Sequence, residues 1–400
     1  MTRHNLRIWT AGMAVIALLG LTACTGASTT RHAATTSTAV RSTVVYTFGV
    51  AGTRGPVMQT LHEQPTAIPG IAGTVVQIAT SNSDTYALTS TGTVWAWGVG
   101  SYGELGNGSA PLYVHTAVKA DFPEGVKITS LANPMPFDGG LAIDSQGNAW
   151  GWGLNESHDL CLPDSLLIAR PEKIPLAHVT LATGARTHSL FDSHGTVYAC
   201  GDGVYGELGD GSTASRSTPI AVTGLPEGRV KTLTSSWGGS GALMADGSYY
   251  DWGYNQAGQL GDRSTADSTV PVHVPLPGPA DQVFQGGSGP TNGQTIAILA
   301  DGSLWTWGNG THGQLGDGST RSSATPIRIT LAPGARPVKV ASGGFASYAI
   351  DQTGRLWAWG RNMDGQLGTG SSGPDQLTPV STGISLTQIS STAQNAAGLR

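Results

Sequence analysis

Lysine is scarce in this 400-residue chain. Only Lys119, Lys127, Lys173, Lys231 and Lys339 occur, and charged residues of all kinds make up 12%. Setting aside residues 1–23, which hold Arg3 and Arg7 and no acid, leaves 19 basic against 26 acidic residues. That balance lacks the basic footprint a nucleic-acid surface requires, which excludes nucleic-acid binding. No apolar run reaches the ~20 residues of a membrane helix, and no stretch after the N-terminal segment keeps a 3.6-residue hydrophobic period. None of the 10 histidines stands at a metal-binding spacing. No EF-hand-like calcium loop and no G-x-S-x-G nucleophile elbow occurs. The absences predict no metal, no cofactor and no catalytic constellation, so the chain reads as a non-enzyme.

What is abundant is glycine, at 58 residues, beside 11 tryptophans and a 39% hydrophobic content. Such a composition suits short strands joined by tight turns, because glycine supplies the positive φ those turns need. The N-terminal residues form an address. Met1–Arg7 carries two arginines, Ile8–Leu21 is apolar and too short to span a bilayer, and Leu21-Thr22-Ala23-Cys24 follows. This tetrad resembles the bacterial lipobox, so residues 1–23 are expected to be a lipoprotein signal peptide and Cys24 the lipid-attachment site. Residues 24–41, rich in Thr, Ser and Ala without periodicity, read as a flexible tether. The chain is then exported and anchored to the outer face of a bacterial cell membrane by lipid alone.

From residue 42 to 400 the chain repeats. Val94-Trp-Ala-Trp-Gly98, Ala149-Trp-Gly-Trp-Gly153, Val197-Tyr-Ala-Cys-Gly201, Tyr249-Tyr-Asp-Trp-Gly253, Leu304-Trp-Thr-Trp-Gly308 and Leu356-Trp-Ala-Trp-Gly360 share one pattern, and Val45-Tyr-Thr-Phe-Gly49 is a weaker copy. A period of roughly fifty residues means a propeller or solenoid. Each Trp-Gly strand follows a short apolar strand and an Asp-Gly-type turn, such as Asp246-Gly247 or Asp301-Gly302, a strong hairpin signal. After it comes Gly-Glu/Gln-Leu-Gly at 103–106, 206–209, 258–261, 313–316 and 365–368. The G-x-G-x-x-G matches at 98–103, 201–206 and 308–313 fall between strands, not at a strand-to-helix turn, and so read as repeat rather than phosphate cradle.

The two-part motif, Trp-Gly then Gly-Gln-Leu-Gly, resembles the regulator of chromosome condensation repeat family over residues 42–400. The resemblance implies an all-β, seven-bladed propeller with four strands per blade. Leu386–Leu399 supplies the opening half of a blade and residues 42–50 the missing half, so one blade is expected to pair strands from both termini and close the ring. By repeat alignment Cys200 replaces the second Trp of its blade, and Cys161 falls where Gly-Gln-Leu-Gly belongs in the preceding one. Two readings stay open for them: a disulfide, or two isolated buried thiols.

Nine tryptophans lie in the repeated strands and read as packing between blades. Trp237, in a Ser-Ser-Trp-Gly-Gly-Ser tip, does not. The tips between the first and second strands differ most: Asn82–Asp84, Pro134–Asp138, Ala185–Thr187, Trp237, Gly289–Asn292, Phe345 and Gln394-Asn395. Phe137, Arg186, Trp237 and Phe345, with Tyr102 and Tyr205 after Trp-Gly, are the partner-binding candidates, since aromatics and Arg dominate interface hot spots. The expected function is that of a monomeric envelope lipoprotein that binds or scaffolds a protein partner through tips on one face. The family resemblance adds inhibition of an enzyme, in the manner of propeller-type β-lactamase inhibitors, as an alternative. A glycan or peptide lyase or hydrolase with its site at the central channel is a second.

Overall fold

The computed structural model describes residues 45–51, 60–162, 165–287, 289, 292–391 and 395–399, without side chains at 46–51, 60–67 and 395. Cys24, the signal peptide and the tether, together with Pro290, Thr291 and Gln394 of the tips, lie outside the described residues. The chain divides into two units, Met1–Arg41 and Ser42–Arg400, and the second carries the strands.

Six four-stranded antiparallel sheets are each built from four consecutive strands. These are blade 1 (75–119), blade 2 (128–173), blade 3 (179–221), blade 4 (230–273), blade 5 (280–329) and blade 6 (337–385). The expectation of seven such blades is corrected by this topology, because six is the number the chain completes in sequence. The remaining sheet is composite, ordered Thr60–Ala67, Val45–Ala51, Asn395–Leu399, Gln388–Ser391. Its two central strands run antiparallel from Val45↔Leu399 to Gly49↔Asn395. The miscount has a simple origin. Val45-Tyr-Thr-Phe-Gly49 has the alternation of a Trp-Gly strand and pairs, as expected, with the distant Asn395–Leu399, so its sheet is a composite one and not a further run of four consecutive strands.

Within a blade the second strand is buried along its whole length, as in Asp84–Thr89, Gly239–Met244 and Gln294–Leu299. The fourth is partly or largely exposed, as in Val114–Lys119 and Ser268–His273. First strands therefore line the centre and fourth strands the rim. Inner strands of successive sheets touch, and Gln388–Ser391 of the composite sheet touches both Pro337–Ser342 and Val75–Thr80. A repeated side-chain device marks these seams. The Gln77 amide donates to Leu131 O at 2.8 Å, Gln282 to Val338 O at 2.7 Å, and Gln388 of the composite sheet to Val76 O at 2.9 Å.

The two-part motif has a physical meaning once blades are adjacent. In three blades the second Trp donates its indole N–H to the backbone carbonyl in the preceding blade's Gly-Glu/Gln-Leu-Gly turn. Trp152 reaches Glu104 O at 2.8 Å, Trp252 reaches Glu207 O at 2.9 Å and Trp359 reaches Gln314 O at 2.9 Å. These rings are fully buried, each removing on the order of 150–250 Å² from water. The last glycine of the turn lies against the ring: a Cβ at Gly209 would stand 2.7 Å from Trp252 Nε1, and one at Gly316 2.7 Å from Trp359 Nε1. Both glycines also have positive φ, 66° and 76°, so they answer to conformation and to space at once.

Blades 2 and 3 solve the same contact differently. Cys161 takes the glycine's place at φ 54°, Cys200 takes the tryptophan's, and the two are joined as a disulfide with Cα atoms 5.5 Å apart. Both are completely buried. Closing a loop of 39 residues restricts the unfolded chain by about 4 kcal/mol in the chain-entropy description.

Gly209→Ala is expected to cost about 3 kcal/mol in denaturant unfolding, from backbone strain plus the clash with Trp252. Gly195→Ala, at φ 80° with nothing within 4 Å of the added carbon, pays the strain alone, about 1 kcal/mol. Equal losses at the two sites would remove the packing role assigned to the turn glycine.

Candidate functional site

The first-to-second-strand tips and the segments after Trp-Gly lie at the same end of every blade, because the second and third strands form one hairpin and both elements flank its open end. Hydrogen bonds tie tip to tip. Asn82 N–H donates to Phe137 O at 3.0 Å, Phe137 N–H to Ala185 O at 3.1 Å, and Trp237 N–H to Gly287 O at 3.1 Å. The Thr187 hydroxyl donates to Trp237 O at 3.0 Å. The tips are thus held in place by the neighbouring blades rather than left loose.

Three aromatic clusters stand on this face. Between blades 3 and 4, half-buried Tyr205, Trp237 and Tyr254 pack together, with centroids 5.1 Å (Tyr205–Trp237), 5.1 Å (Tyr205–Tyr254) and 5.7 Å (Trp237–Tyr254) apart. Between blades 2 and 3 the Arg186 guanidinium lies 4.8 Å from the Phe137 ring. Between blades 5 and 6, Phe345 is met edge-on by His312 at 5.2 Å and covered by Arg361 at 5.2 Å. His312 Nδ1–H donates to Asp375 at 2.8 Å, and Arg361 pairs with Asp364 at 3.2 Å. The structure therefore joins Tyr205 to Trp237, and Phe137 to Arg186. Tyr102 is half-buried on the same face, and no ring contact is recorded for it among the described residues.

Sequence reasoning missed Tyr254, His312 and Arg361, and the repeat register held the signal. His312 occupies the position of Tyr102 and Tyr205 in its own turn, while Tyr254 and Arg361 are the residues directly after Trp-Gly. The lysines show the converse. All five lie at the opposite ends of the strands, Lys119 opposite Trp95, Lys173 opposite Trp150, and Lys127, Lys231 and Lys339 at or before the start of inner strands. The tip face holds arginine as its cation. Aromatic and Arg enrichment with Lys depletion is the composition of a protein interface.

At the centre of this face the channel mouth is lined by Phe137, Arg186, Ser235, Gln285, Ser342 and Ser391, among others, and admits about 30 Å³ of solvent, room for one or two waters. Inner-strand hydroxyls pair across blades just below, Thr80 with Ser390 and Thr183 with Ser235, both at 2.9 Å. Among the described residues its lining offers hydroxyls, amides, backbone groups and the Arg186 guanidinium, with no Asp, Glu or His. Among the described residues no group of His, Cys, Asp and Glu is placed to hold a metal.

Carboxylates are instead buried between blades 1 to 4. The carboxyls of Glu104 and Glu207 are pushed up to about 7 chiefly by burial, helped by Asp138 for Glu104 and by Asp202 and Asp267 for Glu207. Each accepts a backbone N–H, from Tyr102 and Tyr205 respectively, at 2.7 Å. Burial also drives Asp84 well up, with the charges of Glu104 and Asp138 adding to it. Blades 4, 5 and 6 place Gln259, Gln314 and Gln366 at the glutamate's position, each accepting the same bond.

The family's sequence profile, the regulator of chromosome condensation (RCC1) repeat, matches residues 194–243, 246–289, 301–350 and 353–395, and a second profile of the same description matches 75–104 and 338–366. The chain belongs to the regulator of chromosome condensation repeat family. Within RCC1-repeat proteins it is 29% identical over 315 residues to the ultraviolet-B receptor UVR8 of Arabidopsis thaliana, covering 77% of this chain and 70% of the receptor. It is 26% identical over 310 residues to the human E3 ubiquitin-protein ligase HERC2, covering 74% of this chain and spanning 6% of the ligase. Prp20p of Saccharomyces cerevisiae, solved in a study of its binding to Gsp1p and histones, superposes with a TM-score of 0.76 over 90% of this chain and 92% of that one. At 21% identity that likeness is one of fold.

The buried glutamates give a pH prediction. The folded state holds a proton that the unfolded chain, near 4.5, releases. Their contribution is therefore fully present below about pH 4.5 and is lost as pH rises through about 7. Glu104→Gln and Glu207→Gln, copying the amide of the other blades, are each expected to add about 1–3 kcal/mol at pH 8 and nearly nothing at pH 4.5. Thermal melts across that range check it, and variants parallel to the parent at every pH would contradict it.

Proposed function

We propose that this RCC1-repeat propeller is a protein-binding module that captures its partner on the tip face. The observation that carries the reading is the sorting of side chains between the two faces. Three aromatic clusters, two of them with an arginine over the ring, stand on the tips, and every lysine lies at the other end. Half-buried aromatics fixed by backbone hydrogen bonds lose little conformational entropy on binding, which is what makes such residues effective anchors. The yeast relative whose fold matches was solved in work on its binding to two protein partners, which supports the same class of role here.

We further propose that the module is an exported lipoprotein anchored through Cys24, on the strength of Leu21-Thr22-Ala23-Cys24 at the end of the apolar segment. Replacing Phe137, Trp237 and Phe345 together by Ala is expected to abolish partner capture in cross-linking on intact cells, with Tm lowered by only a few degrees. Undiminished capture would sink the tip-face reading. Cys24→Ser is expected to remove fatty-acid labelling and release the protein from the membrane fraction; labelling that persists would refute the anchor.

A further inference from the structure

The Tyr205–Trp237–Tyr254 cluster is framed by carboxylates. Asp202 N–H donates to Thr187 O at 2.8 Å, and the Thr187 hydroxyl donates to Trp237 O at 3.0 Å, so Asp202 stands beside Trp237 through one shared residue. On the other side the Asp267 carboxylate accepts the N–H of Asn255, the residue after Tyr254, at 2.8 Å. Asp267 is exposed and Asp202 half-buried, and among the described residues neither forms an ion pair. The bases close to them in sequence do not neutralise them. Arg216 is paired with Asp210 at 2.9 Å, and exposed Arg263 forms no ion pair among the described residues.

The neighbouring sector holds acids too, accompanied by an arginine. Between blades 2 and 3 a cleft of about 220 Å³ is lined by Asp138, Glu156 and Asp159, with Arg186 at its side. Beneath Tyr205 lies Glu207, whose proton affinity rises with burial and with the charges of Asp202 and Asp267. Asp202 and Asp267 thus both act on a third acid beneath the same rings, with burial the larger cause of its rise. Aromatic faces attract cations through their quadrupole, and a carboxylate beside the ring adds a charge-assisted hydrogen bond to the same cation. An acidic ligand would be repelled by Asp202 and Asp267, and an apolar one would leave them unsatisfied or desolvated.

We propose that Tyr205, Trp237 and Tyr254, with Asp202 and Asp267, dock an arginine- or lysine-bearing extended segment of a protein partner. This rests on the tip-face reading and narrows it to one sector and one partner chemistry. Long basic side chains lay their stems on apolar surface while the charged end finds the carboxylate, and the rings and acids here offer both parts of that contact.

The test is titration of the full-length chain with short fluorescent Gly-Ser peptides carrying Arg, Gln or Glu at the same positions. The Arg peptide is expected to bind, more weakly as salt rises, with Trp237→Ala weakening it about tenfold and Asp202→Asn with Asp267→Asn by about three- to tenfold. Trp237→Phe is expected to retain most of the affinity, and thermal melts verify that each variant folds. The proposal is overturned by equal binding of the Gln or Glu peptide, or by Arg-peptide binding indifferent to Trp237→Ala. It is overturned equally by no Arg-peptide binding at millimolar concentration, or by self-association that Trp237→Ala abolishes, which would make a second copy the occupant. If partner capture is lost in the triple alanine variant while the Arg peptide fails to bind, the tip-face reading stands and this one falls. If capture survives the triple variant, the partner does not depend on these rings and both readings fall, whatever the peptide does.

Discussion

Blades of this protein meet at a recurring buried contact: an indole against a glycine, in three places with its N–H on a backbone carbonyl. Trp152, Trp252 and Trp359 carry it in three places, and the motif that makes the sequence recognisable is the trace it leaves. A tryptophan needs space on the neighbouring turn, so that turn ends in glycine. It also needs an acceptor, so the turn presents a carbonyl at a fixed distance from that glycine. The carboxamide or carboxyl of the Glu/Gln between them accepts a backbone N–H of its own turn and holds the carbonyl still. Where both partners change together, at Cys161 and Cys200, a disulfide fills the same volume. The chain tolerates a different chemistry at this joint but not an empty one, because interiors are close-packed.

Much of the architecture was legible because this joint repeats. Asp-Gly turns and Trp-Gly strands located the hairpins of an all-β repeat, and the family resemblance implied four strands per blade. The blade count was not legible: the pairing of Val45-Tyr-Thr-Phe-Gly49 with Asn395–Leu399 could be read from the half-blades that hold them, but it makes a composite sheet and not a seventh run of four consecutive strands. Alternation is a local property and pairing is not. The site was legible in part. Trp237 stood out as a tryptophan that the repeat does not require, and Tyr205 as an aromatic after Trp-Gly. Tyr254 did not stand out, because one more tyrosine beside a Trp-Gly strand looks like core until the neighbouring tip is seen to lie against it.

The ring is uniform in shape and uneven in charge. Glu104, Asp159 and Glu207 occupy in blades 1 to 3 the position held by Gln259, Gln314 and Gln366 in blades 4 to 6. The amide satisfies the turn at any pH, whereas the acid does so and also carries charge into a poorly solvated seam. Above about pH 7 the amide is the more stable choice at this position, so the acid half of the ring is a departure from what the fold alone requires. It borders the sector in which Asp202 and Asp267 flank half-buried rings, and a field built from several such groups reaches further than any single surface pair.

The composite sheet has a consequence in time. Gln388–Ser391 and Asn395–Leu399 are synthesised after every strand of the six consecutive blades, and Val45–Ala51 before them. Until those late strands exist, the inner edge of blade 1 and the flank of blade 6 are unmatched surfaces, with Gln388 absent from Val76 and Lys339 without the Thr387 carbonyl that it reaches at 2.8 Å. The blades themselves need only local pairings and form early. Closure joins strands more than 340 residues apart and must wait for the later pair, which leaves an open-ended arc of sticky edges until those strands have been made.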